Sequence, residues 1–292
     1  MTVKGKKPAA RVEAIVARNA PVAVIFRRGP SRLVRMLKWN LRTDRIEGGQ
    51  WIEARIHVDR CDISPDGELV AAFVAPYRRK PWTWTAISRP PYFTALAVWP
   101  KGDTWGGGGL FGSDTHLFLW HDTEVKYGVD QFKLLDDFML PKRFRVEPFF
   151  GNSPVPACDV EQSRMVLSGW RFVQRYVWRQ GESEFAEPEI MVRPLDNPKK
   201  PRFELRRWRL SFEALRAEVH DLKTGAQRDL GRVEWIDVDR GDVLWSRAGC
   251  LFRLAGPTRQ GMDFDAEPKL VADLNDMTFE AIKAPKRALR WP

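Results

Sequence analysis

The densest candidate chemistry in this sequence lies between Pro76 and Phe111, where Tyr77, Trp82, Trp84, Tyr92, Phe93, Trp99 and Trp105 are interleaved with Arg78, Arg79, Lys80 and Arg89. Flat rings stack on a base, a sugar or a peptide, while a guanidinium beside them holds a phosphate or carboxylate. Pro76, Pro81, Pro90 and Pro91 read as stiffening a long loop, and exposed loops on a rigid scaffold commonly carry binding residues. Trp82, Trp84, Arg89, Tyr92, Trp99 and Trp105 are therefore the expected binding face. The competing reading is that these rings pack between sheets as core.

Other constellations point to chemistry less well. Gly106 to Gly109 lacks the Lys-Ser/Thr of a phosphate-binding loop and its strand-to-helix setting, so close backbone packing is expected there. His116 and the His121-Asp122 pair lie five residues apart with no third ligand, and no metal or other cofactor is expected. The acid pairs Asp62/Asp66, Asp136/Asp137 and Asp237/Asp239 have the residue types for glycoside hydrolysis, but aspartate is also a common turn residue. Ser64 and Cys61 sit in no nucleophile motif. No catalytic residue is assigned.

The elements that must position these groups read as short strands. Cys61 to Val74 is an apolar run, a Ser-Pro-Asp-Gly turn and a second apolar run, with Pro65 presetting φ and Gly67 accepting a positive one. Cys158 to Leu167 is a partial, collinear copy, and Gly109 to Trp120 and Trp235 to Trp245 share the shape. Turns at Asn19, Asp66, Asp114, Gln162 and Arg240 recur at intervals of 47, 48, 48 and 78 residues, and the last gap has room for another joint near Pro198. A second echo pairs Trp39-Asn40-Leu41-Arg42-Thr43-Asp44 with His220-Asp221-Leu222-Lys223-Thr224-Gly225, each an outer hairpin. A period of roughly 40 to 50 residues with four strands apiece is the sign of a β-propeller. Val129 to Leu140 reads as a short helix and Met277 to Ile282 as a last strand.

Composition sets the outer bounds. The chain has 292 residues, 13 of them Trp, and 43% hydrophobic content, enough for a sizeable core. Its net charge of +10 suits acidic partners or nucleic acid, yet Arg alternates with apolar residues in stretches such as Phe203 to Leu210, as on the solvated face of a strand. Three cysteines, Cys61, Cys158 and Cys250, form no CxxC pair and fit a reducing compartment. No leader or membrane span is read at the sequence level, so a cytoplasmic location is expected.

The Ser-Pro-Asp-Gly joint and the Asp-Leu-Lys-Thr-Gly hairpin resemble those of TolB-like and WD40-like propellers. That resemblance implies architecture alone. The Trp-Asp and Gly-His pairs of WD40 blades are missing in their order, and so is the export signal of TolB. The expectation is one all-β propeller domain over residues 1–292, with residues 1–10 a basic tail. Six blades are expected, five with an insertion near 170–200 being the alternative, and N- and C-terminal strands close the ring. The expected function is a monomeric, non-catalytic scaffold that recognises a protein or peptide partner. A hydrolase acting on carbohydrate or a phosphate ester, and a nucleic-acid-binding propeller, are the two alternatives.

Overall fold

The computed structural model describes residues 8–29, 32–78, 80–126, 128–155, 159–177, 179, 184–212 and 214–292. The chain is nearly all β, laid out as successive antiparallel meanders. Two compact units share it, one made of Pro8, residues 14–167 and residues 278–292, the other of residues 9–13 and 168–277.

In the first unit the leading sheet has the order β1 (Arg11–Val16), β2 (Val22–Arg28), β3 (Leu33–Asn40), β4 (Arg45–Glu53), with the start of β1 belonging to the other unit. The next runs β5 (Arg55–Ile56), β7 (Val70–Ala75), β8 (Trp84–Ser88), β9 (Ala95–Pro100), and β6 (Asp62–Ile63) pairs beside β5 on β7. The third joins β10 (Gly109–Ser113), β11 (His116–Leu119) and β14 (Arg145–Pro148), with β14 parallel to β11. Between them β12 (Val125–Lys126) and β13 (Val129–Asp130) make a two-stranded ribbon.

The run Val70 to Ala75 is buried on both faces, and the period of two divides it between two cores. Val70, Ala72 and Val74 pack with Ile15, Val24, Phe26 and Met36 of the leading sheet. Leu69 and Ala71 pack with Trp99, Phe111, Leu117 and Phe144 on the opposite side. Four-stranded meanders stacked face to face in this manner are propeller-type blades.

The Cys61–Val74 joint is a hairpin. The Leu69 amide donates to Ser64 Oγ at 2.9 Å, the Gly67 amide to the Ser64 carbonyl at 2.8 Å, and Gly67 has φ +77°. The two echoing outer hairpins also coincide atom for atom. Asn40 Oδ1 accepts the amides of Arg42 and Thr43 at 3.0 and 3.2 Å, and Asp221 Oδ1 accepts those of Lys223 and Thr224 at 2.8 and 3.2 Å. Side-chain capping of this kind is why Asn and Asp open such turns.

In the second unit β15 (Arg171–Gln174), β16 (Glu189–Pro194), β17 (Phe203–Arg209), β18 (Leu215–Asp221) and β19 (Gln227–Val233) form one antiparallel sheet. The other is β20 (Trp235–Asp239), β21 (Asp242–Arg247), β22 (Cys250–Leu254) and β23 (Lys269–Asp273). Residues 9–13 are tied to that second sheet: the Ala10 amide donates to Asn275 Oδ1 and the Val12 amide to Glu234 Oε2, each at 2.9 Å, and Ser246 Oγ donates to the Val12 carbonyl at 2.5 Å. Among the described residues there are five sheets of three or more strands and one ribbon.

Three local expectations differ from the structure. Within the partial copy at 158–167, Val160–Leu167 is a helix, α1, rather than a second hairpin; Cys158 itself lies outside the described residues. Gln162, Ser163, Arg164 and Met165 stand where the first copy has Pro65-Asp66-Gly67-Glu68, so the turn residues are gone, and Asp159 caps the helix by accepting the Gln162 amide at 2.8 Å. Val129 to Leu140 is not helical: it opens with β13 and continues as turns, because Asp130 Oδ1 takes the Phe132 and Lys133 amides at 3.2 and 3.1 Å. Met277 to Ile282 forms no strand. It lies against β4 through side chains, Gln50 Nε2 donating to the Ile282 carbonyl at 3.0 Å, while the Gln50 amide is already given to Pro91.

Candidate functional site

The stretch Pro76 to Phe111 is not one loop: β8, β9 and the start of β10 run through it. Thr85, Ile87 and Val98 are strand formers within β8 and β9, and the links before β8, between the two strands and after β9 lie outside the sheet. The six expected binding residues are separated accordingly. Trp99, 2% exposed, fills the core between the second and third sheets. Tyr92 is buried beneath the C-terminal segment with Ala284 and Ala288, its hydroxyl donating to Glu47 at 3.3 Å. Arg89 is bound to Glu68, which also holds Lys38 at 3.4 Å. Trp82 and Trp105 are 52% and 82% exposed. They flank the contact in which Thr83 Oγ1 donates to the Asp103 carbonyl. Trp84 is half-buried, with one part on the core and another in a groove. Arg79 lies outside the described residues.

That groove, about 720 Å³, is lined by Arg28, Arg32, Glu53, Arg55, Tyr77, Arg78 and Trp84 together with Gly29, Ala54, Ala75 and Pro76. Antiparallel parity puts it there. The end of β2, the link from β4 to β5 and the turn from β7 to β8 all leave their sheets on one side, so three sequence-distant segments converge. Four arginines and one carboxylate, Glu53, line the groove, and Glu53 approaches Arg78 at 3.7 Å. Among the described residues Arg28, Arg32 and Arg55 have no ion pair. A cleft lined by one sign of charge concentrates counter-charged ligands.

Tyr77 forms a fixed wall. Its backbone is left-handed at φ +60°, unusual for a bulky residue, and its hydroxyl meets His57 Nε2 at 3.0 Å. Half of the ring is exposed. His57 is held down at about 4, first by partial burial and then by the charges of Arg60, Arg55 and Arg28, so it is neutral at pH 7.

Behind the groove-bearing sheet lies a closed polar network. Lys101, fully buried, donates to Gln131 Oε1 at 2.6 Å, Asp103 at 2.9 Å and Asp122 at 3.4 Å. His121 Nδ1 meets the Gln131 carbonyl at 2.6 Å, and a carbonyl only accepts, so Nδ1 carries the proton. Nε2 then accepts from Thr85 Oγ1 at 2.8 Å, and that oxygen accepts the Gly108 amide at 2.8 Å. Both nitrogens are thus committed. His116, for its part, lies 3.6 Å from Glu147, and among the described residues no group of three His, Cys, Asp or Glu side chains converges as a metal site.

Burial lowers His121 to about 3, against 6.5 for an exposed ring. Between those values the unfolded chain takes up a proton that the folded one refuses, so stability falls as pH drops below 6.5 and stops falling on this account near 3. By pH 5 the loss from His121 is about 2 kcal/mol. Urea unfolding of wild type and His121→Gln from pH 7 to 5 checks this: the variant has the flatter slope, and equal slopes contradict the assignment.

Asp62, Asp237 and Asp239 are committed to structure, while Asp136 and Asp137 lie exposed on the surface. Asp62 is buried against Arg18 at 3.3 Å, Asp237 is bound to Arg193, and Asp239 meets Arg240 and Arg253 at 3.1 and 3.2 Å. Gly106 to Gly108 are packing residues, since the turn carries φ of +79°, +96° and +86° and lies tight on Phe73 and Arg60. Sequence reasoning missed Arg28, Arg32, Glu53 and Arg55. The signal for them is the repeat itself, because Arg27 to Arg32 and Pro76 to Trp82 occupy the same turn of neighbouring sheets.

No protein-family model matches the chain, and no curated protein matches it. Among solved structures it is similar to an uncharacterised protein of Listeria monocytogenes, with 10% identity, 94% of this chain and 87% of that one covered, and a TM-score of 0.32. It is similar also to the β-propeller domain of the Trilobed protease from Pyrococcus furiosus, with 11% identity, 92% and 100% covered, and a TM-score of 0.39. Likeness at this level carries nothing about ligand or activity.

Proposed function

We propose that this chain is a non-catalytic binding propeller that takes an acidic segment of a protein or peptide partner into the groove between Arg28, Arg55 and Tyr77. The reading includes a single propeller domain acting as a cytoplasmic monomer. Five blades, one for each of the larger sheets, now suit it better than six. The observation that carries it is the groove lining: four arginines against one glutamate, beside a pinned tyrosine and a half-buried tryptophan. Arginine and aromatic residues are the usual anchors of protein recognition.

The test is fluorescence anisotropy with a labelled decaglutamate peptide on wild type and on Arg28→Ala with Arg55→Ala. Wild type binds at low salt, the double variant binds about tenfold or more weakly, and the two share one melting temperature. Equal binding by both, or none by wild type, contradicts the reading. Tighter binding to a single-stranded oligonucleotide, with affinity falling steeply as salt rises, favours nucleic acid instead.

A further inference from the structure

We propose that the groove is built for a phosphate monoester, carried on a side chain of the partner peptide, rather than for carboxylates. This rests on the groove being the binding site, and it narrows the ligand.

The charges set the first constraint. Arg28, Arg32, Arg55 and Arg78 against Glu53 leave three positive charges in a space of about 720 Å³. One carboxylate answers one of them, and three carboxylates brought into so small a volume repel each other. A phosphate monoester carries about −1.5 to −2 near pH 7 on three acceptor oxygens at a single centre. Guanidinium forks match that geometry, bonding two oxygens at once, which is why arginine and not lysine recurs at such sites. Here every cation lining the groove is an arginine.

The walls set the second. Tyr77 is fixed at both ends, by its left-handed backbone and by the bond to His57, and Trp84 is anchored in the core. Two rings beside several guanidinium groups suit a flat or apolar carrier held next to its phosphate. A groove of this size holds one such side chain, whereas a nucleic-acid strand needs a basic track several nucleotides long. The neutral state of His57 fits the same picture, since an unsatisfied positive field from Arg55 and Arg28 is part of what keeps its proton off. A bound dianion cancels that field.

Glu53 offers a check on the sign of the ligand's charge. It is the only carboxylate among the residues lining the groove, and it stands 3.7 Å from Arg78. If the ligand is a phosphate, Glu53 repels it, and Glu53→Gln tightens binding by a few fold.

The experiment compares three labelled peptides of one sequence, with phosphotyrosine, tyrosine or glutamate at the centre, on wild type, Glu53→Gln and Arg28→Ala with Arg55→Ala, alongside the decaglutamate peptide. The phosphopeptide is expected to bind wild type about tenfold or more tightly than the other two central residues. Millimolar inorganic phosphate displaces it, Glu53→Gln strengthens it, and the double arginine variant loses it. Glutamate-centred and phosphorylated peptides binding alike, or Glu53→Gln weakening the phosphopeptide, overturns the phosphate assignment while the binding groove stands. Failure of every peptide, decaglutamate included, overturns the groove as well.

Discussion

Gly108→Ala is expected to destabilise the first unit by on the order of 4 kcal/mol. A Cβ at this position falls 1.8 Å from the Arg60 carbonyl oxygen, a backbone atom, and the residue holds φ +86°. Neither the clash nor the left-handed backbone relaxes by a side-chain rotation. The Gly108 amide also donates to Thr85 Oγ1, so a shift of the turn disturbs the hydroxyl that His121 relies on. Chemical unfolding monitored by tryptophan fluorescence measures the loss. Gly128→Ala is the control: its φ is +73°, but nothing lies within 4 Å of the added carbon, so strain acts there without a clash and the loss is smaller. Equal losses at the two sites contradict the packing account of the glycine run.

Asp62→Ala is expected to cost about 3 kcal/mol. Asp62 is fully enclosed and ties three elements together, accepting the Phe111 amide of β10 at 2.9 Å and pairing with Arg18 at 3.3 Å, with Arg164 of α1 adding its field. Burial drives its carboxyl upward, against the downward pull of those two arginines and of the Phe111 and Ile63 amides. Removing the carboxylate leaves Arg18 enclosed without its charge partner, and a broken buried pair is worse than a pair never made. Urea unfolding of Asp62→Ala beside Arg18→Ala and the double variant measures the coupling. The double variant is expected to be less destabilised than the sum of the singles, and strict additivity contradicts a shared interaction.

Some of these features are encoded locally in the sequence and others only in contacts between distant segments. The alternation in Leu69 to Val74 and the Ser-Pro-Asp-Gly turn encode a hairpin locally, so the joint and the blade type were legible. The Asn40 and Asp221 turns were legible for the same reason, since an Asx side chain bonds its own backbone two and three residues on. What was not legible depends on contacts distant in sequence. Trp99 and Trp105 lie six residues apart, yet one is 2% and the other 82% exposed, because Trp99 lies within β9 and Trp105 in the link beyond it. Asp62 looked like half of an acid pair until Arg18 and Phe111 were found around it. The α1 segment was misread because a partial match to a neighbouring joint outweighed the loss of the turn residues and the helix-forming run after Asp159. Arg28, Arg32 and Arg55 carry no local signal, since they join Arg78 only once adjacent meanders stack.

The central claim is that ligand enters at the groove wall and not at the aromatic stretch as a whole. Indole and tyrosine side-chain resonances followed by NMR during titration with the phosphotyrosine peptide test this most directly. The expected result is saturable shifts for Trp84 and Tyr77, with Trp99 unmoved and Trp82 and Trp105 shifting little. Shifts concentrated on Trp82 and Trp105, or on tryptophans of the second unit such as Trp235 and Trp245, with Trp84 and Tyr77 unmoved, contradict it.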